Sequence, residues 1–290
     1  MVGKFFWRTK KIPTNPSRYK MSKILLITSL CLILTSCMCI SQESSSPTSS
    51  DNLIPYIAER TVHVQIHRKL FDGKKVYKNT HLYSWGTGTV MYYENLHSYI
   101  LTANHVVQDD GMFTLHWDGK DFRVLRTEYF LVAERRNLHN QVIDKAVHGK
   151  VVKQNSILDL ALIEFPYNFR LSEETKIAQN VQVGQQVHMM GYPSLRAIGS
   201  YYLSYSRGTI ATVGINKEHS LNNMPNQIRF DINGYFGNSG GALINNRGEI
   251  VGVVSMMTGW SISRQSFIPH SGCIYGPSVE AIRHFLYVQK

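Results

Sequence analysis

Phe236-Gly237-Asn238-Ser239-Gly240-Gly241 sets a serine among glycines on a turn. Glycine lacks a Cβ, takes positive φ readily and lets a bound molecule come close to the backbone N–H groups. A serine held this way is a candidate nucleophile. Gly, Asn and Ser also dominate ordinary hairpin turns for conformational reasons, so the stretch decides the fold only in company. A serine hydroxyl is a weak nucleophile near neutral pH. It needs a base to take its proton and a third group to orient that base.

Both are found upstream. Ser98-Tyr99-Ile100-Leu101-Thr102-Ala103-Asn104-His105-Val106-Val107 is an apolar β-type run that ends in small and polar residues just before His105. That histidine is therefore expected at a strand end, where a rigid scaffold presents it. The chain has twelve His, so context and not residue type singles it out. In Ser156-Ile157-Leu158-Asp159-Leu160-Ala161-Leu162-Ile163-Glu164-Phe165 one aspartate stands in an apolar run. A buried charge costs several kcal/mol unless something pairs with it, so Asp159 needs a partner. The plain alternative is an Asp in the turn that starts a strand.

In the order His, Asp, Ser these motifs resemble the trypsin-like serine proteases, with wording closest to the HtrA-type branch. There the histidine stands in LTAAH or LTNNHVV, the aspartate in DLAL and the serine in GNSGG. Met189-Met190-Gly191-Tyr192-Pro193, Arg207-Gly208-Thr209-Ile210 and Asp231-Ile232-Asn233 are similar to further family stretches, and Val251-Gly252-Val253-Val254-Ser255 to the strand lining the substrate cleft. The resemblance spans residues 59–290. It implies an all-β fold of two six-stranded antiparallel β-barrels with a C-terminal α-helix.

Acyl transfer then gives each residue a task. His105 takes the Ser239 proton and returns it to the leaving amine, while Asp159 fixes the imidazole tautomer. The backbone N–H groups of Gly237 and Ser239 form the oxyanion hole. The chemistry needs neither metal nor other cofactor. The resemblance also places Asn233 at the base of the specificity pocket and Ser255, Met256 and Met257 along one wall. With no acid at Asn233, an Arg or Lys side chain enters uncompensated, so small or medium apolar residues are expected before the scissile bond. Three departures stand out. Tyr235-Phe236 replaces the HtrA-type Asn-Pro, Ala242 replaces a common Pro, and Asn238 stands where digestive proteases carry the Asp that pairs with a newly cut N-terminus. Activation by cleavage is therefore not expected. With 51 residues after Ser239, no PDZ module is expected either. Relatives imply a trimer as one oligomeric state.

Strand-like runs recur at short spacing over 61–68, 88–93, 112–117, 122–132, 181–190, 227–232 and 249–257, in keeping with an antiparallel architecture. Only 277–286 reads as a helix, with Pro277 in its first turn. His63 and His67 fall on one face of an alternating run, about 13 Å apart. That is too far for one zinc, and a surface strand is expected.

The formal charge of +11 tempts toward nucleic acid, but seven of the 31 Lys and Arg precede residue 37, where there is no acid, leaving +4. The basic pairs Lys74-Lys75 and Arg135-Arg136 read as solvated loops. No nucleic-acid partner is expected. From Met21 the chain reads as a basic n-region, an apolar run Ile24 to Leu34, and Leu34-Thr35-Ser36-Cys37, similar to a bacterial lipobox. The run is short for a membrane span. Residues 1–36 are accordingly read as leader and lipoprotein-type signal, with initiation at Met21 as one option and Cys37 as the lipidated residue. An ordinary cleaved signal or uncleaved anchor is the alternative. Residues 37–58 read as a Ser-rich tether and 59–290 as the protease domain. Of the four Cys only Cys273 falls in that domain, so no disulfide forms within it. The expectation is a membrane-tethered endopeptidase of the bacterial envelope, acting on protein or peptide substrates. A protease-fold binding or chaperone module is the alternative from another class. An esterase is the second enzymatic one, although no strand-to-helix nucleophile elbow is visible.

Overall fold

The computed structural model describes residues 50–71, 76–108, 114–117, 120–195, 200–216, 218, 224–263 and 266–288. The leader, Met21, the lipobox with Cys37 and most of the Ser-rich stretch lie outside these residues. Among the described residues no helix is long and apolar enough to cross a membrane.

Alternating apolar residues build the first lobe from β1 (Thr61–Phe71), β2 (Val76–Glu94), β3 (His97–Thr102), β4 (Thr114–Trp117), β5 (Lys120–Arg136), β6 (Val142–Asn155) and β7 (Leu160–Phe165). The order is β1-β2-β3-β7-β6-β5, and β1 also pairs with β5, so six antiparallel strands close into a barrel with β4 attached to β5. Val62, Val64 and Ile66 of β1 fill it with Val90, Ile100, Leu131, Ile163 and Phe165.

The second lobe comprises β8 (Gln186–Gly191), the short pair β9 (Ser194–Leu195) and β10 (Ser200–Tyr201), then β11 (Ser204–Ile215), β12 (Gln227–Asp231), β13 (Ala242–Ile244), β14 (Ile250–Val253), β15 (Met256–Ser263) and β16 (Ser266–Gly276). Its main sheet runs β14-β13-β8-β11-β12-β16-β15. The two ends of that order are joined by Val254 and Ser255 alone, a span of at most about 11 Å. The sheet must therefore roll round until its first and last strands are close. Ile210, Ile228, Phe230, Leu243, Val251 and Ile274 fill its interior. The trypsin-like all-β expectation holds as a closed barrel beside a rolled sheet.

A third core lies between the lobes, where Met91, Leu101 and Leu160 meet Met190, Ile244 and Ile250. Two terminal helices seat on it: α1 (Ser50–Arg60) and, after the short α2 (Asn104–Val107), α3 (Val279–Tyr287). Here the structure corrects the tether boundary. Residues 50–58 belong to α1, because Leu53 and Ile57, one turn apart, bury against the core that also holds Ile282 and Phe285 of α3. Arg60 fastens the helix, stacking 3.4 Å from the Tyr56 ring and donating to the Glu173 carbonyl at 2.7 Å. Ser278 caps α3 by accepting from the Ala281 N–H at 3.2 Å, so Pro277 precedes the cap and lies outside the first turn.

The surface-strand reading of His63 and His67 is also corrected. β1 is paired on both sides, and Tyr192 of the second lobe stacks on the His63 ring at 5.0 Å. His63 is fully buried and His67 half-buried. Gln65 Nε2 donates to His63 Nδ1 at 2.8 Å, and Gln65 Oε1 accepts from His67 Nε2 at 2.7 Å. Burial pushes His63 down to about 3; Glu134 opposes the shift, and Arg136 and His67 add to it. The folded state thus keeps His63 neutral while the unfolded chain takes a proton below about 6.5. Its stabilisation is complete above pH 6.5 and is lost as pH falls toward 3. Between pH 7 and 4.5 the protein should lose on the order of 2–3 kcal/mol that His63→Gln does not lose, read as a steeper fall in the urea midpoint.

Candidate active site

The chain turns twice to bring the first two motifs together. β3 ends at Thr102, and Ala103, in extended backbone, leads into α2, whose first turn carries His105. On the other side Asn155 Oδ1 accepts from the N–H groups of Ile157 and Leu158, both at 3.0 Å. This side-chain turn delivers Asp159 with φ of 51°, a left-handed conformation that Asp tolerates better than most residues.

Asp159 meets the need for a partner with several donors. Its carbonyl accepts from the Asn104 N–H at 3.0 Å and its Oδ1 from the His105 N–H at 2.9 Å. Its Oδ2 lies 2.8 Å from His105 Nδ1 and 2.5 Å from the Ser255 hydroxyl. A carboxylate only accepts, so Nδ1 carries a proton, and in the neutral imidazole Nε2 then keeps its lone pair. The Asp159 side chain is 11% exposed and the His105 ring 45%: the carboxylate is under cover and the imidazole faces outward. The task of Ser255 was missed in the sequence, where the resemblance placed it on the pocket wall. The available signal was a lone hydroxyl closing the buried run Val251–Val254.

The serine stretch forms two successive turns. Tyr235 C=O accepts from the Asn238 N–H, and Asn238 C=O from the Gly241 N–H, each at 3.0 Å. The third residues, Gly237 and Gly240, have φ of 96° and 85°, as type II turns require. Gly240 N–H donates to the Val254 carbonyl at 2.7 Å, and Val254 N–H to the Gly241 carbonyl at 2.9 Å. Among the described residues, none accepts a hydrogen bond from the N–H groups of Gly237 and Ser239.

Ser239 is brought toward His105 across β2. Its carbonyl accepts from the Thr87 N–H at 2.8 Å. Next to Thr87, Gly86 is wedged so tightly that a Cβ there would stand 2.5 Å from Val106, the neighbour of His105, and 2.7 Å from the Ser239 carbonyl. Asn233 is exposed, and Met256 and Met257 are half-buried at the start of β15. Cys37 lies outside the described residues.

Residues 86–253 match the trypsin-like peptidase domain. This chain belongs to that family. The matched stretch begins beside Thr87 and ends beside Val254, so the trypsin-like region contains all three motifs. The chain is 28% identical over 180 residues to the serine protease Do-like HtrA of Lactobacillus helveticus, covering 60% of this chain and 36% of that protein. It is 27% identical over 225 residues to the serine endoprotease DegS of Haemophilus influenzae, covering 74% and 56%. It thus spans between about a third and just over half of these curated relatives.

A Cβ at Gly240 would run into Thr102, the Thr87 carbonyl and the Ala103 N, and positive φ adds strain of about 1–3 kcal/mol. Gly240→Ala should lower stability by at least that amount, measured by denaturant titration.

Proposed function

We propose that the protein is a serine endopeptidase of the HtrA type, with Ser239 as nucleophile, His105 as general base and acid, and Asp159 as the residue that orients and stabilises the imidazolium. The observation that carries this reading is the His105–Asp159 pair, with Nδ1 on Oδ2 at 2.8 Å and the ring turned outward. The serine turns lie across β2 from it. Attack of Ser239 Oγ on a peptide carbonyl transfers its proton to His105 Nε2. Collapse of the tetrahedral intermediate returns that proton to the leaving amine, and water then hydrolyses the acyl-enzyme by the same route. The Gly237 and Ser239 N–H groups receive the developing oxyanion. The two relatives, a serine protease and a serine endoprotease, support the same reaction class.

A fluorophosphonate should modify Ser239 covalently. Ser239→Ala should abolish labelling, and Asp159→Asn should slow peptide hydrolysis by about 10⁴-fold, since an amide can donate to Nδ1 and hold the imidazole in the wrong tautomer. Folded wild-type protein that resists the reagent would return the chain to the binding-module reading.

We further propose that Cys37 carries lipid, holding the enzyme at a bacterial membrane facing envelope or extracellular proteins. The Leu34-Thr35-Ser36-Cys37 run supports this. Intact-mass analysis of the cell-derived protein should find a mature chain beginning at acylated Cys37, and a soluble product without acyl groups would overturn the anchor.

A further inference from the structure

Thr87 is a fully buried residue of β2 with no reactive atom, yet it makes four hydrogen bonds around the site. Its N–H donates to the Ser239 carbonyl at 2.8 Å. Its hydroxyl donates to the Gly237 carbonyl at 2.7 Å and accepts from the Tyr192 N–H at 3.0 Å. Its carbonyl accepts from the Thr102 hydroxyl at 2.7 Å, three residues before His105. The hydroxyl therefore has both a donor and an acceptor task, which fixes its rotor. Space for it is reserved: a Cβ on Gly191 would stand 2.9 Å from Thr87 Oγ1 and 2.9 Å from Asn238 Oδ1.

We propose that Thr87 is a positioning residue that sets the oxyanion hole, holding the Gly237 carbonyl through its hydroxyl. Thr87 grips by their carbonyls the same two residues, Gly237 and Ser239, whose N–H groups face the acyl oxygen. The peptide plane between Gly237 and Asn238 is pinned at both ends, its C=O on Thr87 and its N–H on the Tyr235 carbonyl. With that plane fixed, the Gly237 N–H on one side and the Ser239 N–H on the other keep their aim without reorganising, which is what makes such donors effective. Tyr235 and Phe236 stand half exposed in this loop. The bond to Thr102 ties the residue to the strand that presents His105.

This inference rests on the proposed endopeptidase reading, and its test keeps the two apart. In the full chain Thr87→Val keeps the side-chain shape and both backbone bonds but removes the hydroxyl, whereas Thr87→Ser keeps the hydroxyl. Fluorophosphonate inactivation is followed over a concentration series, so that the limiting rate kinact and the half-saturation KI are read separately, beside thermal melting. Thr87→Val should lower kinact roughly 10- to 100-fold with KI within about twofold, and Thr87→Ser should stay within about threefold of wild type. If Thr87→Val does not fold, Thr87→Ala carries the same comparison. Unchanged kinact in a hydroxyl-free variant, or an equal loss in Thr87→Ser, overturns the positioning role while leaving Ser239 as nucleophile. Failure of the wild type to react overturns both readings.

Discussion

The carboxylate of Asp159 is the constraint on which the rest is built. A negative charge this well covered is tolerable only when its lone pairs are met. The donors come from both sides: His105 from the first lobe, and Ser255 from the link between the edge strands of the second. Sliding one lobe past the other would strip the acid of a donor. The relative placement of the two lobes is thus enforced electrostatically at the site itself, beyond what the apolar contact between them supplies.

Around that acid the backbone closes a second set of links. The serine turns hang from Val254 in their own lobe and from Thr87 in the other. The helices α1 and α3 cover the apolar interface of Leu53, Ile57, Ile282 and Phe285. Arg135, with its guanidinium on Asp144 and on the carbonyls of Glu59 and Arg170, fastens the junction of α1 and β1 to the barrel. Position, more than any unusual side chain, makes the hydroxyl of Ser239 a candidate nucleophile.

The three candidate residues were legible in the sequence because each depends on local backbone chemistry. His105 follows a strand end, Asp159 follows an Asn-capped turn, and Ser239 stands between glycines that supply positive φ. What stayed hidden depends on partners far along the chain. His63 looks like a surface residue until Tyr192 is placed over it. α1 was masked by the serine-rich composition before it, since Leu53 and Ile57 form too short a pattern to stand out. β6 escaped because Lys145, Lys150 and other exposed residues dominate it and Ala146 is its one residue in the buried core. The apolar run 249–257 read as one strand, whereas the structure breaks it at Val254 and Ser255.

That break links two parts of the centre through adjacent residues. Val254 holds the serine loop by exchanging hydrogen bonds with Gly240 and Gly241, and Ser255 holds the acid while its own N–H donates to the Tyr275 carbonyl at 3.0 Å. A local opening that frees one residue drags its neighbour, so the serine loop and the Asp159 carboxylate lose these ties together.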